Sequence, residues 1–168
     1  MIHYFAYGSN MDEDDFRQWC NGNNKQNRKY PMVNFRNGRP AKLNGYKLTF
    51  NYYSCSRKGG AANMMESQKD CVYGLLMDME DKDLETIRKK EGYSEDCSQC
   101  YYNEICVSVE VDGTVFQDVK TYKVSKCRET KEEQPPTKDY LNLIIKNAKK
   151  HLFPDDYIQH LNSIHTKD

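Results

Sequence analysis

The sequence lacks any long apolar run, and no stretch approaches the ~20 consecutive apolar residues that a membrane-spanning helix requires. It also lacks an excess of either charge, because 25 Lys and Arg residues balance 25 Asp and Glu residues. Nucleic acids and anionic membranes attract basic proteins, so this balance argues against either partner. The first residues show no basic segment followed by an apolar core. We therefore expect no secretory signal and a cytoplasmic protein.

The cysteine pattern also argues against a disulfide framework and a metal site. The seven cysteines are an odd number, which is not typical of a secreted disulfide scaffold. Cys97 and Cys100 form a CxxC pair, but the sequence has no second CxxC and no HxxxH to complete a zinc site. It also contains no phosphate loop and no dinucleotide-binding fingerprint. We therefore expect reduced thiols and no metal or cofactor.

The pattern of apolar residues and turn signals predicts an α+β domain with a curved or closed mixed sheet. Its length of 168 residues suits a single domain covering residues 1–168. Four helices are predicted, at residues 11–20, 81–90, 140–152 and 155–164. Seven strands are predicted, at residues 2–7, 32–36, 46–53, 61–65, 71–79, 102–111 and 115–124. Turns are predicted at residues 39–40, 44–45, 66–70 and 112–113, and a loop at 54–60.

The segment YFAYGSNM, residues 4–11, combines a strand pattern with a sharp turn. Gly8 tolerates backbone angles that other residues avoid, and Ser9 and Asn10 are suited to cap the following helix. Such a strand-to-helix turn leaves backbone N–H groups unpaired, and these can hold an anion or an oxygen that gains negative charge. An ordinary strand–turn–helix connection explains the same residues.

Glu91 stands at the end of the predicted helix 81–90, directly before Gly92, a residue typical of helix C-termini. A carboxylate is electrostatically disfavoured there, because the helix dipole favours a cation. Partial burial at this position would raise its pKa and suit it for proton transfer. The alternative is an exposed Glu91 paired with Arg88, Lys89 or Lys90.

Two motifs resemble those of the γ-glutamylcyclotransferase family, the AIG2-like group. They are YFAYGSNM and the combination of VYGLL, a short helix and EGY. GRPAKLNGYKLTF, GGAANM and PPTKDYLNLI extend the similarity from about Tyr4 to about Ile164. The resemblance implies a small mixed β-barrel with flanking helices.

The resemblance also implies a reaction and a set of site residues. The α-amine of a γ-glutamyl substrate attacks its own γ-carbonyl, releasing 5-oxoproline and an amino acid or amine. Glu91 is implied as the general acid–base, and Tyr7, Gly8 and Ser9 as an N–H cradle for the oxyanion. Tyr101 is the alternative to Tyr102 as a substrate contact. The implied substrate-binding residues are Tyr4, Phe5, Ala6, Tyr7, Gly8, Ser9, Asn10, Tyr102 and Tyr140.

Three further expectations follow from this resemblance. The reaction needs no cofactor, the partner is a small molecule, and a homodimer is consistent with the family. The identity of the leaving group stays open between an amino acid and an amine. A non-catalytic binding module on the same barrel is the competing interpretation.

Overall fold

The computed structural model describes residues 1–95 and 100–168. Its helices are α1 (Glu13–Cys20), α2 (Asp81–Glu91), α3 (Lys138–Lys150) and α4 (Asp155–Ser163). Its strands are β1 (Ile2–Ala6), β2 (Arg36–Thr49), β3 (Tyr53–Ser54), β4 (Gly59–Gly60), β5 (Asn63–Met79), β6 (Tyr102–Val111) and β7 (Thr114–Val124). Short 3₁₀ turns cover Ser9–Met11 and Lys126–Arg128. Among the helices of these described ranges, none is long and apolar enough to cross a membrane.

Five strands close into a barrel in the order β1-β5-β2-β6-β7. β1 lies antiparallel to β5 and parallel to β7, where Tyr4 pairs with Lys120, and the other barrel pairings are antiparallel. The sheet is therefore mixed, and the predicted mixed β-barrel with flanking helices is confirmed. β3 and β4 form a separate two-stranded hairpin.

The core fills the barrel and extends beneath the helices. The amphipathic face of α3 buries Leu141, Ile144, Ile145 and Ala148, as its 3.6-residue spacing predicts. The largest fully buried side chains are Phe5, Phe16, Leu43, Met64, Leu76, Met79, Ile87, Ile144, Leu161, Val72, Val109 and Val119.

Gly74 of β5 allows β1 to approach closely. A Cβ atom at this position would lie 2.3 Å from the carbonyl oxygen of Ala6 and 2.7 Å from the ring of Phe5. Only a residue without a side chain fits this contact. The glycine of the VYGLL motif thus holds the end of β1, from which the Gly8-Ser9-Asn10 turn departs.

Several predicted boundaries are confirmed. β6 runs from Tyr102 to Val111, and the Asp112-Gly113 hairpin has φ angles of +48° and +79°, the left-handed pair that a two-residue turn requires. α2 ends at Glu91, and Gly92 follows it with φ +62°. α3 starts slightly earlier than predicted, because the side chain of Thr137 caps it.

The predicted turns at residues 39–40, 44–45 and 66–70 are wrong. β2 and β5 continue through them and pair on both sides of each irregularity, with register shifts between Arg36 and Arg39 and between Asn44 and Tyr46. Gly, Pro and clustered polar residues mark bulges here, and bulges bend a strand without ending it. The predicted strand at 32–36 is also wrong, since residues 31–35 are irregular and β2 begins at Arg36.

The predicted caps of the first helix are wrong as well. The 3₁₀ turn Ser9–Met11 intervenes, so α1 begins at Glu13. Asp12 caps it, and its side chain accepts a hydrogen bond of 2.9 Å from the N–H of Asp15. The side chain of Asn10 is therefore available for a long-range contact.

Candidate active site

Two adjoining cavities meet at the predicted site. The outer one is an open cleft of about 420 Å³, and the inner one is a small pocket of about 50 Å³. Both are lined by Ser9, Asn10, Glu91, Tyr102 and Tyr140. The 3₁₀ turn, α2, β6 and α3 thus bring together five residues that the sequence analysis singled out.

The inner pocket is also lined by Tyr4, Tyr7 and Gly8, three more of the predicted residues. A Cβ atom on Gly8 would lie 3.3 Å from the Cβ of Ala62 and 3.5 Å from the hydroxyl of Tyr140. Glycine therefore keeps space open where the turn meets α3. The pocket is completed by Ala62, Thr121 and Tyr122.

Phe5 and Ala6 line neither cavity, so their predicted contact with substrate stays a prediction that the lining of the cavities does not support. Phe5 is fully buried, stacks with the ring of Tyr7 and packs against Gly74. Ala6 is 1% exposed. Both are core residues of β1, whose packing holds the following turn in place.

The amide of Asn10 joins the first motif to the second. Its Nδ2 donates to Glu91 Oε1 at 2.5 Å and to the Tyr4 hydroxyl at 2.9 Å. Its Oδ1 accepts a hydrogen bond of 2.6 Å from Lys90 Nζ. Asn10 is 5% exposed, so these contacts are formed in the interior.

Glu91 is the last residue of α2, and its carboxyl group faces the cavities rather than open solvent. Burial raises its pKa above the ordinary value, while Lys90, the Asn10 hydrogen bond and the charge of Arg57 act in the opposite direction. The alternative was an exposed Glu91 paired with Arg88, Lys89 or Lys90. Among the described residues Glu91 forms no ion pair with any of the three, and Arg88 pairs instead with Glu85 and Glu104. A carboxyl group with a raised pKa holds a proton more readily than an ordinary glutamate, which suits a group that transfers protons.

Asp15, Arg57 and Lys90 form a charged cluster next to Glu91. The sequence analysis missed it. Arg57 donates two hydrogen bonds, of 2.8 and 2.6 Å, to the carboxylate of Asp15. Lys90 Nζ lies 3.4 Å from the same carboxylate. Burial alone would raise the pKa of Asp15, but the hydrogen bonds from Arg57 and the charge of Lys90 hold it below its ordinary value.

No local signal identified this cluster. Asp15 belongs to the acidic run at residues 12–15, which suits the start of a helix because the helix dipole favours negative charge there. Arg57 lies 42 residues further along the chain. For Lys90, its place beside Glu91 on the last turn of α2 was the available clue.

Tyr102 and Tyr140 both hydrogen-bond to the backbone of Ala62, which also lines the inner pocket. The hydroxyl of Tyr102 donates to the carbonyl oxygen of Ala62 at 3.0 Å, and that of Tyr140 accepts from the Ala62 N–H at 3.1 Å. Burial raises the pKa of both hydroxyls, so they are neutral at physiological pH. Tyr101 lines only the outer cleft and is 40% exposed, so Tyr102 is the residue that reaches the inner pocket.

The first N–H groups of the Gly8-Ser9-Asn10 turn form no hydrogen bond within the turn. Met11 and Asp12 donate to the carbonyl oxygens of Gly8 and Ser9. Among the backbone hydrogen bonds of residues 1–95 and 100–168 outside regular elements, none has the N–H of Ser9 or Asn10 as donor. This is the usual state of the first N–H groups of a helical turn.

The same described ranges contain no group of three or more His, Cys, Asp or Glu side chains that is arranged to hold a metal ion. Cys97 of the CxxC pair lies outside the residues that the structure describes. The predicted lack of a zinc site at that pair therefore stays a prediction.

The model of the AIG2-like family matches residues 71–161, more than half of the chain. The chain belongs to the AIG2-like family. The matched segment includes Glu91, Tyr102 and Tyr140. The turn at Gly8 lies before it, so that part of the site rests on geometry and on similarity over the full length.

Full-length comparisons point to the same group of AIG2-like proteins. A γ-glutamylcyclotransferase from Bos taurus is 28% identical over 98% of this chain and 79% of its own length. A solved structure of a γ-glutamyl cyclotransferase is 26% identical, covers 99% of this chain and 89% of its own, and superposes with a TM-score of 0.78. A structure of an uncharacterized protein from Homo sapiens shares the same identity and coverage at a TM-score of 0.77.

Proposed function

We propose that this AIG2-like protein is a γ-glutamylcyclotransferase that converts γ-glutamyl amino acids or γ-glutamylamines to 5-oxoproline and the free amino acid or amine. The observation that carries the proposal is the position of Glu91. Its carboxyl group has a raised pKa and lines an inner pocket together with the turn at Gly8 and Ser9. The similarity to proteins named γ-glutamylcyclotransferase supports the same reaction class.

The proposed reaction begins with proton transfer to the ionised carboxylate of Glu91. It takes a proton from the α-ammonium of the substrate, and the freed amine attacks the γ-carbonyl carbon to close a five-membered ring. The resulting tetrahedral oxyanion collapses as the bond from the γ-carbon to the leaving nitrogen breaks. Glu91 returns the proton to that nitrogen, and a second proton passes by the same carboxyl group from the ring nitrogen to the released amine.

The atoms of this reaction balance without water or a cofactor. In total, two protons leave the α-nitrogen and two reach the leaving nitrogen, so the products are a lactam and an ammonium ion. The substrate supplies its own nucleophile, and a Ser or Cys nucleophile is not needed. General acid–base catalysis of this kind typically contributes ~10²–10⁴-fold in rate.

The two cavities suit the two halves of such a substrate. The inner pocket would hold the reacting end of the γ-glutamyl group, coiled so that its amine meets its carbonyl. Good orientation in an intramolecular attack can lower the activation barrier by ~7–11 kcal/mol. The outer cleft would hold the leaving group, because it adjoins the inner pocket and shares five lining residues with it.

Two further roles complete the proposal. The N–H groups of Tyr7, Gly8 and Ser9 would stabilise the tetrahedral oxyanion, because donors placed where charge develops act most strongly in the transition state. Tyr140 would order the substrate carboxylate. Support for this role comes from its neutral hydroxyl in the pocket and from the guanidinium of Arg57, which lies 5.1 Å from the centre of its ring.

The test is a direct assay of the purified protein with γ-glutamyl dipeptides, γ-glutamyl-ε-lysine and glutathione. We expect 5-oxoproline and the released amine in equal amounts from at least one of them, measured by mass spectrometry. Thermal stabilisation by these compounds without 5-oxoproline formation would contradict the proposal and favour the binding-module interpretation. The substrate with the highest kcat/KM identifies the leaving group.

A further inference from the structure

Lys90 is a buried cation that the proposed reaction does not use directly. Only 8% of its side chain is exposed, and its ammonium lies 4.7 Å from the centre of the Phe16 ring. Burying a lysine is costly unless its charge is paired and its donors are used. Lys90 meets these needs with Asp15 at 3.4 Å and Asn10 Oδ1 at 2.6 Å.

The contact with Asn10 determines which way that amide points. An amide carries an acceptor on one side and two donors on the other. With Oδ1 on the ammonium of Lys90, Nδ2 faces the carboxylate of Glu91. A reversed amide would set two donors against the ammonium and an oxygen against the carboxylate, so both contacts would become repulsive.

Lys90 is itself held in place from the other side. The carboxylate of Asp15 keeps two hydrogen bonds from Arg57 and lies against the Lys90 ammonium. Lys90 and Glu91 are consecutive residues at the end of α2, and they hold the two ends of one amide. Along the chain from Asp15 through Lys90 and Asn10 to Glu91, every donor therefore faces an acceptor.

We propose that Lys90 is a positioning residue, which fixes the orientation of the Asn10 amide and thereby the place of the Glu91 carboxyl group. The inference rests on the proposed function for its kinetic consequences. The contacts between the three residues can be tested without any activity. If Lys90 had a purely structural role, replacing it would change only the folding stability. If it positions Glu91, replacing it also changes the titration of the Glu91 carboxyl group.

Other charged and titratable groups also surround Glu91. Arg57, from the segment between β3 and β4, adds a second positive charge, with Asp15 of α1 between it and Lys90. Five buried or partly buried tyrosines, from β1, the residue after it, β6, β7 and α3, interact electrostatically with Glu91: Tyr4, Tyr7, Tyr102, Tyr122 and Tyr140. The tyrosines are neutral, and Arg57 is paired with Asp15. Lys90 is the cation that contacts the Asn10 amide, and replacing it removes that contact while leaving these other groups in place.

The experiment titrates the Glu91 carboxyl carbon by ¹³C NMR, with Glu91→Gln used to assign its signal. In Lys90→Met we expect the midpoint to move to higher pH, because a favourable charge and the donor that orients Asn10 are lost. Lys90→Arg retains both and should titrate near the parent protein. Lys82→Met is the matched control, since it removes the same charge from an exposed position on the same helix.

A double-mutant cycle tests whether the effect passes through Asn10. If it does, the shift caused by Lys90→Met is smaller in an Asn10→Ala background. In the 5-oxoproline assay, Lys90→Met should lower kcat/KM at neutral pH about 10–100-fold, as expected when a reacting group is misplaced. The double variant should fall little further than either single one.

Two results would overturn the inference. One is a Glu91 titration in folded Lys90→Met that matches the parent and Lys82→Met. The other is an equal shift with and without Asn10, which would reduce the role of Lys90 to charge acting through space. If Lys90→Met does not fold, Lys90→Gln serves as the uncharged variant. Failure of the parent protein to release 5-oxoproline would reject the proposed function but leave the titration result standing.

Discussion

Asn10 Nδ2 lies 2.5 Å from Glu91 Oε1, although 81 residues separate the two in the chain. The contact joins the turn after β1 to the last residue of α2. Because Asn10 also donates to Tyr4 and accepts from Lys90, it is the residue through which both motifs meet.

Asn10→Asp preserves the size of the side chain but replaces the donor with a second carboxyl group. Two carboxylates this close disfavour each other's ionisation, so the pKa of Glu91 should rise further. We expect the acid limb of the pH–kcat/KM profile to move to higher pH and the rate at neutral pH to fall at least about 10-fold. Asn162→Asp, at an exposed position on α4, is the control. An unchanged pH profile for Asn10→Asp would show that the contact between Asn10 and Glu91 does not affect activity.

Asp15→Asn should lower the free energy of unfolding at pH 7 by about 1–3 kcal/mol, because Arg57 and Lys90 lose their common partner. The pKa of Asp15 is depressed in the folded state. Its ionised form therefore adds stability above the unfolded pKa, and this stability is lost as the pH falls through the lower folded pKa. The difference between parent and variant should narrow in acid.

Urea unfolding at pH 7 and at about pH 3, below the usual Asp pKa, measures this difference. Asp14→Asn is the matched control, since the Asp14 side chain is 72% exposed and pairs with Arg17 on the same helix. A loss of the same size at both pH values would contradict an electrostatic role for Asp15.

The sequence predicted the parts of the site that local chemistry determines. Gly8, Ser9 and Asn10 were recognised as a turn, and Glu91 before Gly92 as a carboxyl group at a helix end. These features depend on a few neighbouring residues, and the structure places all of them at one pair of cavities. Their assignment to a γ-glutamyl site came from the resemblance to a family.

The features that were missed depend on pairings between distant residues. Asn10 suits a helix cap, but Asp12 takes that position and Asn10 bonds to Glu91. Gly45 suits a turn, but β2 continues through it with φ +83° at the register shift between Asn44 and Tyr46. In both cases the observed local structure goes with a pairing between residues distant in the sequence, which short patterns do not encode.

Gly74→Ala should lower the free energy of unfolding by about 1–3 kcal/mol, because the added methyl group would overlap the Ala6 carbonyl oxygen and the Phe5 ring. Gly38→Ala on β2 is the control. A Cβ there would lie 4.0 Å from Leu75 and from Met77, which is ordinary contact, and the effect of the substitution should stay within about 0.5 kcal/mol. Urea unfolding of both variants compares them. Equal stabilities would show that β1 and β5 do not need a glycine at this contact.

Tyr140→Phe removes the hydroxyl group that lines the inner pocket and accepts from Ala62. If Tyr140 orders the substrate carboxylate, KM should rise about 10-fold or more, since a hydrogen bond to a charged group contributes roughly 1.5–3 kcal/mol. Tyr53→Phe, at a tyrosine that is 45% exposed, should leave KM unchanged. An unaltered KM in Tyr140→Phe would remove this residue from the proposed binding set.

Glu91→Gln tests the central claim most directly, because the amide has nearly the same shape as the carboxyl group but cannot accept and return a proton. The measurement is 5-oxoproline release from the best γ-glutamyl substrate, with Glu85→Gln on the exposed face of α2 as the control. We expect kcat to fall ~10²–10⁴-fold in Glu91→Gln and to stay at the parent value in Glu85→Gln. A folded Glu91→Gln variant that releases 5-oxoproline at the parent rate would contradict the account.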